Sequence, residues 1–175
     1  TALRIIYKNQ RFSEDLDFDN FGLSKEAFDN LSQIVRHDLE QDGYQMELKQ
    51  VFKGAYRCYV RIPGLLFNHG LSPHQGEKAV IQIDTMAQEF AYVPDKIVLN
   101  KFDVFTRINV TPLSILLSQK ICAALERKTA KGRDFYDIIF LFSKTKPDYE
   151  YLGAKANIAA PEELKKQLIA RCDSI

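Results

Sequence analysis

The 175-residue sequence has no excess of charge of either sign: 24 Lys and Arg stand against 23 Asp and Glu, a formal net charge of +1. That balance excludes a global basic field, so a polyanionic partner has to be held by a local patch. Cysteine is scarce and odd in number. Cys58, Cys122 and Cys172 are widely spaced and have no His at ligand spacing, which argues against a disulfide frame or a zinc site and for reduced, packed thiols in a cytoplasm. Long apolar runs are missing too. None approaches the ~18 residues needed to span a bilayer, and the opening TALRIIYKNQ lacks the apolar core and cleavage site of a signal peptide. There is no internal repeat and no low-complexity tract. What is present, 46% hydrophobic and 27% charged residues, is ordinary for one globular domain with at most a small helical appendix. The expectation is a soluble cytoplasmic protein that does not enter a membrane.

The order of periodicities, an acidic strand, a helix, a run of strands and then helices to the end, predicts an α+β layout. Residues 2–8 are apolar enough for a short helix. From Ser24 to Gly43 a helix is signalled by a capping serine, by Phe28, Leu31, Val35 and Leu39 at spacings of three and four, and by a glycine suited to a left-handed stop. Residues 44–62 alternate around Lys53-Gly54, the pattern of a hairpin, and 63–77 read as a loop rich in Gly and Pro. Strands are expected at 78–84, 96–99 and 102–110. Thr111-Pro112 then offers a cap and a first-turn proline for a helix to about Lys128, with further helices at 133–143 and 161–172. Tyr56, Tyr59, Phe135, Tyr136, Phe140 and Phe142 fall at core spacings, and His37, His69 and His74 carry no catalytic pattern.

The stretch RFSEDLDF, Arg11 to Phe18, raises the chemical question. On a strand Asp15 and Asp17 point to one face while Leu16 and Phe18 point to the core. Neighbouring carboxylates repel, and a divalent cation reverses the sign of that problem. Hard cations such as Mg²⁺ take oxygen ligands, typically one or two carboxylates together with substrate phosphates. Asp84, at the end of KAVIQID, is the candidate third carboxylate if that strand lies beside the first. Asp19 shares the face but sits near the strand's end. Taken alone, a D-x-D is at least as readily a polar edge or turn. Lys120, Ala124 and Arg127 recur at four and seven along one helix, a cationic stripe suited to a triphosphate or simply a solvated face. Asp134 and Asp137 share a face at the start of the next helix, where the helix dipole favours acids.

Four blocks in order, TALRIIYKNQRFSEDLDF, VIQIDT, LLSQKICAALERKTAKG and RDFYDI, resemble the nucleotidyltransferases of the AbiEii/AbiGii toxin family, a branch of the DNA polymerase beta-like nucleotidyltransferase superfamily. The resemblance covers residues 1 to about 142. It implies a nucleotidyltransferase-like mixed or antiparallel sheet flanked by helices, with a palm-like core over 1–110 and a helical region over 111–175. It also implies metal ligation by Asp15, Asp17 and Asp84, the last as third ligand or as base. Ser13 would contact phosphate, Lys120 would bind the triphosphate, and Arg127, Asp134 and Asp137 would complete the nucleotide site, Asp137 in a catalytic role. The implied activity is Mg²⁺- or Mn²⁺-dependent transfer of a nucleoside monophosphate from an NTP to an RNA, such as tRNA, or to a protein. The implied setting is a toxin of bacterial phage defence with a separately encoded antitoxin. The family's paired glycines would stand immediately before Thr1, so the expectation is a piece of a longer protein; loss of that phosphate loop is the alternative, and with it a non-catalytic nucleotide- or nucleic-acid-binding regulatory module that keeps the fold.

Overall fold

The computed structural model describes residues 2–13, 15–101 and 103–173. In chain order the elements are α1 (Ala2–Ile5), β1 (Asp15–Asn20), α2 (Lys25–Gln41), β2 (Glu47–Lys53), β3 (Ala55–Pro63), α3 (Leu65–Asn68) and β4 (Lys78–Ala87). They continue with β5 (Asp95–Lys101), β6 (Val104–Val110), α4 (Leu113–Glu126), α5 (Gly132–Phe142), α6 (Tyr149–Ala156) and α7 (Pro161–Asp173). This is an α+β fold. Its contacts divide it into two compact units, Gln10–Glu89 on one hand and Ala2–Asn9 with the chain from Phe90 onward on the other. That division differs from the 1–110 and 111–175 partition read from sequence: the β5–β6 ribbon and α1 both group with the later helices.

The first unit is a four-stranded mixed sheet in the order β1-β4-β3-β2, with β1 parallel to β4 and the other pairs antiparallel. The hairpin turns at Gly54, whose φ of 78° a residue with a Cβ adopts only under strain. Alternation then sorts the side chains. Phe28 of α2 packs with Met46, Cys58, Val60 and Ile62, and Val35, Leu39, Phe52, Tyr56 and Ile83 close the same core. α2 starts as expected, with the Ser24 hydroxyl accepting from the Ala27 amide at 3.1 Å. At its end the Gly43 and Tyr44 amides donate to the Glu40 and Leu39 carbonyls, each at 3.0 Å, with Gly43 at φ 89°.

The second unit is built on α4. Leu117, Ile121, Leu141, Leu152 and Ile158 are wholly buried there, and Leu3 of α1 joins them. β5 and β6 form a separate antiparallel ribbon. Several expectations are corrected. Leu31 (49% exposed), Phe18 (55%), Tyr136 (47%) and Phe142 (43%) are not core. Periodicity assigned their faces, but among the described residues no element packs far enough over them to cover them. The loop at 63–77 contains the short α3. Pro112 is itself the N-cap of α4, while the Thr111 hydroxyl pairs with that of Tyr92 at 3.0 Å. α6 was not expected at all.

Candidate active site

Parallel pairing of β1 with β4 sets Asp17 directly beside Asp84 and Asp15 beside Gln82. The antiparallel pairing of β4 with β3 sets Arg57 beside Asp84 and Tyr59 beside Gln82. In-register partners project to the same side of a sheet, so one face carries the rows Asp17-Asp84-Arg57 and Asp15-Gln82-Tyr59. This is the face opposite the α2 core. Asp17 is exposed, Asp15 and Asp84 are half-buried, and Ser13 lies partly buried in the segment before β1. The Arg57 Nε donates to Asp84 Oδ1 at 2.8 Å, and the Gln82 side-chain amide donates to Asp84 Oδ2, also at 2.8 Å. The adjacent carboxylate raises the pKa of Arg57, first by its hydrogen bond and then by its charge.

Three oxygen donors of the type a hard cation takes are thus aligned on neighbouring strands. Both oxygens of Asp84 are turned toward Arg57 and Gln82, and among the described residues no three His, Cys, Asp or Glu side chains gather closely enough to hold a metal. The donor chemistry still fits a Mg²⁺-type ion, which protein sites commonly hold through one or two carboxylates completed by water and substrate phosphate. Asp17 and Asp84 supply such a pair.

The second unit holds the other predicted residues. Lys120 on α4 pairs with Asp137 on α5 at 3.2 Å, the two side chains being 28% and 1% exposed. One end of the helix pair further along, Arg127 pairs with Asp134 at 3.3 Å, with 34% and 6% exposed. Lys120 on α4 and Arg127 just past its end thus meet the two acids of α5 in two ionic rungs. Arg127 is not on the helical stripe as expected. It is the extended C-cap of α4, so only the last rung's position, not its helical phase, was foreseen. Asp134 Oδ2 is buried without a directed hydrogen bond although Arg127 Nε lies at ion-pair distance; the pair is Coulombic contact with poor alignment. Burial of both aspartates is affordable because each has a cation.

Three further residues were not singled out by sequence. Asn9, 3% exposed, donates from its side chain to Asp137 Oδ1 at 3.3 Å, while Lys120 holds Oδ2. Arg171 of α7 donates to the Ala124 carbonyl at 2.9 Å and to that of Arg127, satisfying the open end of α4. Arg57 had a legible signal, since alternation along the hairpin puts it on the side away from Cys58 and Val60. Asn9 and Arg171 had none, because their partners lie far away in sequence.

An acidic pair on one strand, an aspartate on its parallel neighbour, and a Lys and an Arg paired with the two acids of R-D-x-x-D follow the order of the blocks of a known family. The profile of the nucleotidyl transferase AbiEii toxin family, of type IV toxin–antitoxin systems, matches residues 1–171. The chain belongs to this family. As an AbiEii-family nucleotidyltransferase it is of a type that is paired with a separate antitoxin. Its α+β fold is similar to that of an antigenic nucleotidyltransferase-like protein from Paracoccidioides brasiliensis, with a TM-score of 0.50 and 15% identity, over 93% of this chain and 71% of that one. At that identity the likeness concerns the fold alone. No curated protein matches the chain. Among the described residues no helix is long and apolar enough to cross a membrane.

Proposed function

We propose that this AbiEii-family protein transfers a nucleoside monophosphate from an NTP to a hydroxyl of an RNA, such as a tRNA, or of a protein, in the cytoplasm and as part of phage defence. The acceptor oxygen forms a bond to the α-phosphorus, the bond from that phosphorus to the bridging oxygen breaks, and pyrophosphate leaves with the electron pair. The observation that carries this reading is the in-register placement of Asp17 beside Asp84, with Asp15 two residues along on the same face. Three like charges aligned in this way repel, and the Arg57 guanidinium bonded to Asp84 sets a single positive charge against them. Asp15, Asp17 and Asp84 would hold Mg²⁺ or Mn²⁺, which when bound supplies Lewis-acid stabilisation of the attacking and leaving oxygens.

The remaining roles fall to the chain's own groups. Asp84 is ligand or base for the acceptor proton, and Ser13 contacts phosphate. Lys120, still partly exposed, neutralises charge on the triphosphate, as does Arg127. Asp137 and Asp134 receive a different part from the catalytic and nucleotide-binding ones first read for them. At 1% and 6% exposure their carboxylates are sealed from a nucleotide, so they act by positioning Lys120 and Arg127.

The test is incubation of the protein with each labelled NTP, Mg²⁺ or Mn²⁺ and total cellular RNA or protein. Label transferred to an acceptor, dependent on the cation and lost in Asp17→Asn, is the expected result. Absence of transfer to any acceptor, with no nucleotide bound, would instead make the protein a regulatory module that retains the fold.

A further inference from the structure

The acid face of the sheet carries a cation of its own. Arg57 is the direct cross-strand partner of Asp84, its Nε is 2.8 Å from Oδ1, and Gln82 takes Oδ2 at 2.8 Å. On the other side of Asp84, one strand away, stands Asp17. A guanidinium and a divalent ion answer the same electrostatic need at Asp84, but they cannot both occupy its inner oxygens. We propose that Arg57 is a latch: it is the stand-in countercharge of Asp84 when no divalent ion is present, and it yields Asp84 when the ion binds. This rests on the reading of Asp17 and Asp84 as metal ligands. The guanidinium holds the carboxylate in place along β4 while the site waits, and it sets a threshold of cation concentration below which the site stays closed. Arg57 is therefore a positioning residue that touches a ligand side chain rather than the reacting atoms.

The pair is well suited to exchange. Both side chains are partly open to water, 38% and 22% exposed, so the arginine can swing into solvent without leaving a sealed charge behind, unlike a pair whose carboxylate is sealed, such as Lys120 with Asp137. Gln82 is neutral and bonds Asp84 from the same strand, so it can remain in place as a support of the ligand after the arginine has left.

The experiment is titration of the whole protein with Mn²⁺ alone, followed by electron paramagnetic resonance of the free ion, for the unmodified chain and for Arg57→Gln, Arg57→Lys and Asp17→Asn, with a thermal melt of each without metal. Arg57→Gln should bind Mn²⁺ about five-fold more tightly, the scale set by removing one partly exposed ion pair, and Arg57→Lys, which keeps a cation at the position, should fall between it and the unmodified chain. Asp17→Asn should lose binding. If the unmodified chain binds Mn²⁺ through Asp17 but Arg57→Gln binds it equally or more weakly, the latch is wrong and the metal reading stands. Failure of both the unmodified chain and Arg57→Gln to bind Mn²⁺ overturns both. Should Arg57→Gln melt as an unfolded chain, the comparison of Arg57→Lys with the unmodified protein decides: unchanged or weaker affinity there rejects the latch.

Discussion

Lys120 is held by a buried carboxylate and is also the cation proposed to meet the triphosphate, and the two parts can be separated. Lys120→Ala removes the cation from a carboxylate that is 1% exposed, and breaking a buried pair from one side costs roughly 3 kcal/mol. It should also weaken NTP binding and slow transfer on the order of 10²-fold, the usual loss for a charge-stabilising donor. Adding Asp137→Asn separates the two effects. Urea denaturation should show most of the stability restored, because Asp137→Asn removes the buried charge itself, while nucleotide titration shows no recovery. Lys128→Ala, at an exposed position beyond the stripe, should change neither. Recovery of NTP binding in the double variant would mean the lysine matters only to packing. The thiols give a second prediction. Burial, aided by Glu126, pushes Cys122 up from 9.0 to about 11. A thiol whose folded pKa is raised stabilises the fold fully below its unfolded pKa and loses that contribution as pH rises toward the folded value. Stability measured by urea should therefore decline between about pH 9 and pH 11 and decline less in Cys122→Ala, and at neutral pH an alkylating reagent should reach the exposed Cys172 before Cys122. At this scale the facing of Asp17 and Asp84 was legible from alternation along their strands, and the pairing of Lys120 with Asp137 was not, because spacing gives a residue's face and not its partner. Asn9 was not, since nothing near it in the sequence points to Asp137.

Elements were legible where a local signal sufficed. Ser24 and Gly43 bound α2 in sequence and in structure, and Gly54 marks the hairpin between β2 and β3. α6 was missed although Asp148 caps it, accepting from the Tyr151 amide at 2.8 Å, and Asn157 ends it at φ 55°. Eight residues with two large buried side chains, Tyr151 and Leu152, leave too few turns for periodicity to register. Which faces become covered was legible only in part: Phe28 and Leu31 both fit the α2 pattern, yet one is 4% exposed and the other 49%. The difference has an energetic consequence. Phe28 meets Phe52 edge-on at 6.0 Å and Tyr56 at 5.7 Å, so Phe28→Ala should cost about 3–5 kcal/mol, whereas Leu31→Ala should shift the urea midpoint only slightly. Equal shifts would mean that α2 sits on the sheet by a different face.

At the scale of the molecule, the sequence conveyed the α+β class but not the pairing of its ends: Leu3, at 5% exposure, shares a core with α4 to α7, and no local pattern announces a contact of such span. Strand order was equally hidden, because periodicity gives faces and not neighbours. That order, β1-β4-β3-β2, leaves β1 at the margin of its sheet, with one row of backbone donors and acceptors not paired to another strand of the sheet. Such a margin is a template for a second copy of the same chain, and proteins commonly blunt it with charge. Here the alternate residues Asp15, Asp17 and Asp19 place like charges along it, beside a Phe18 that is 55% exposed. Two copies brought margin to margin would bring these acids together without a cation. The acids proposed to hold the cation would therefore also act as gatekeepers of solubility. Asp15→Asn with Asp17→Asn should leave the urea midpoint unchanged or slightly raised, since repulsion within the chain is relieved. The same variant should scatter light and bind an amyloid dye at lower protein concentration than the unmodified chain, and more so than Arg57→Gln, which leaves the margin charged. A change made at these acids to remove the proposed activity would in this way also make the protein stickier.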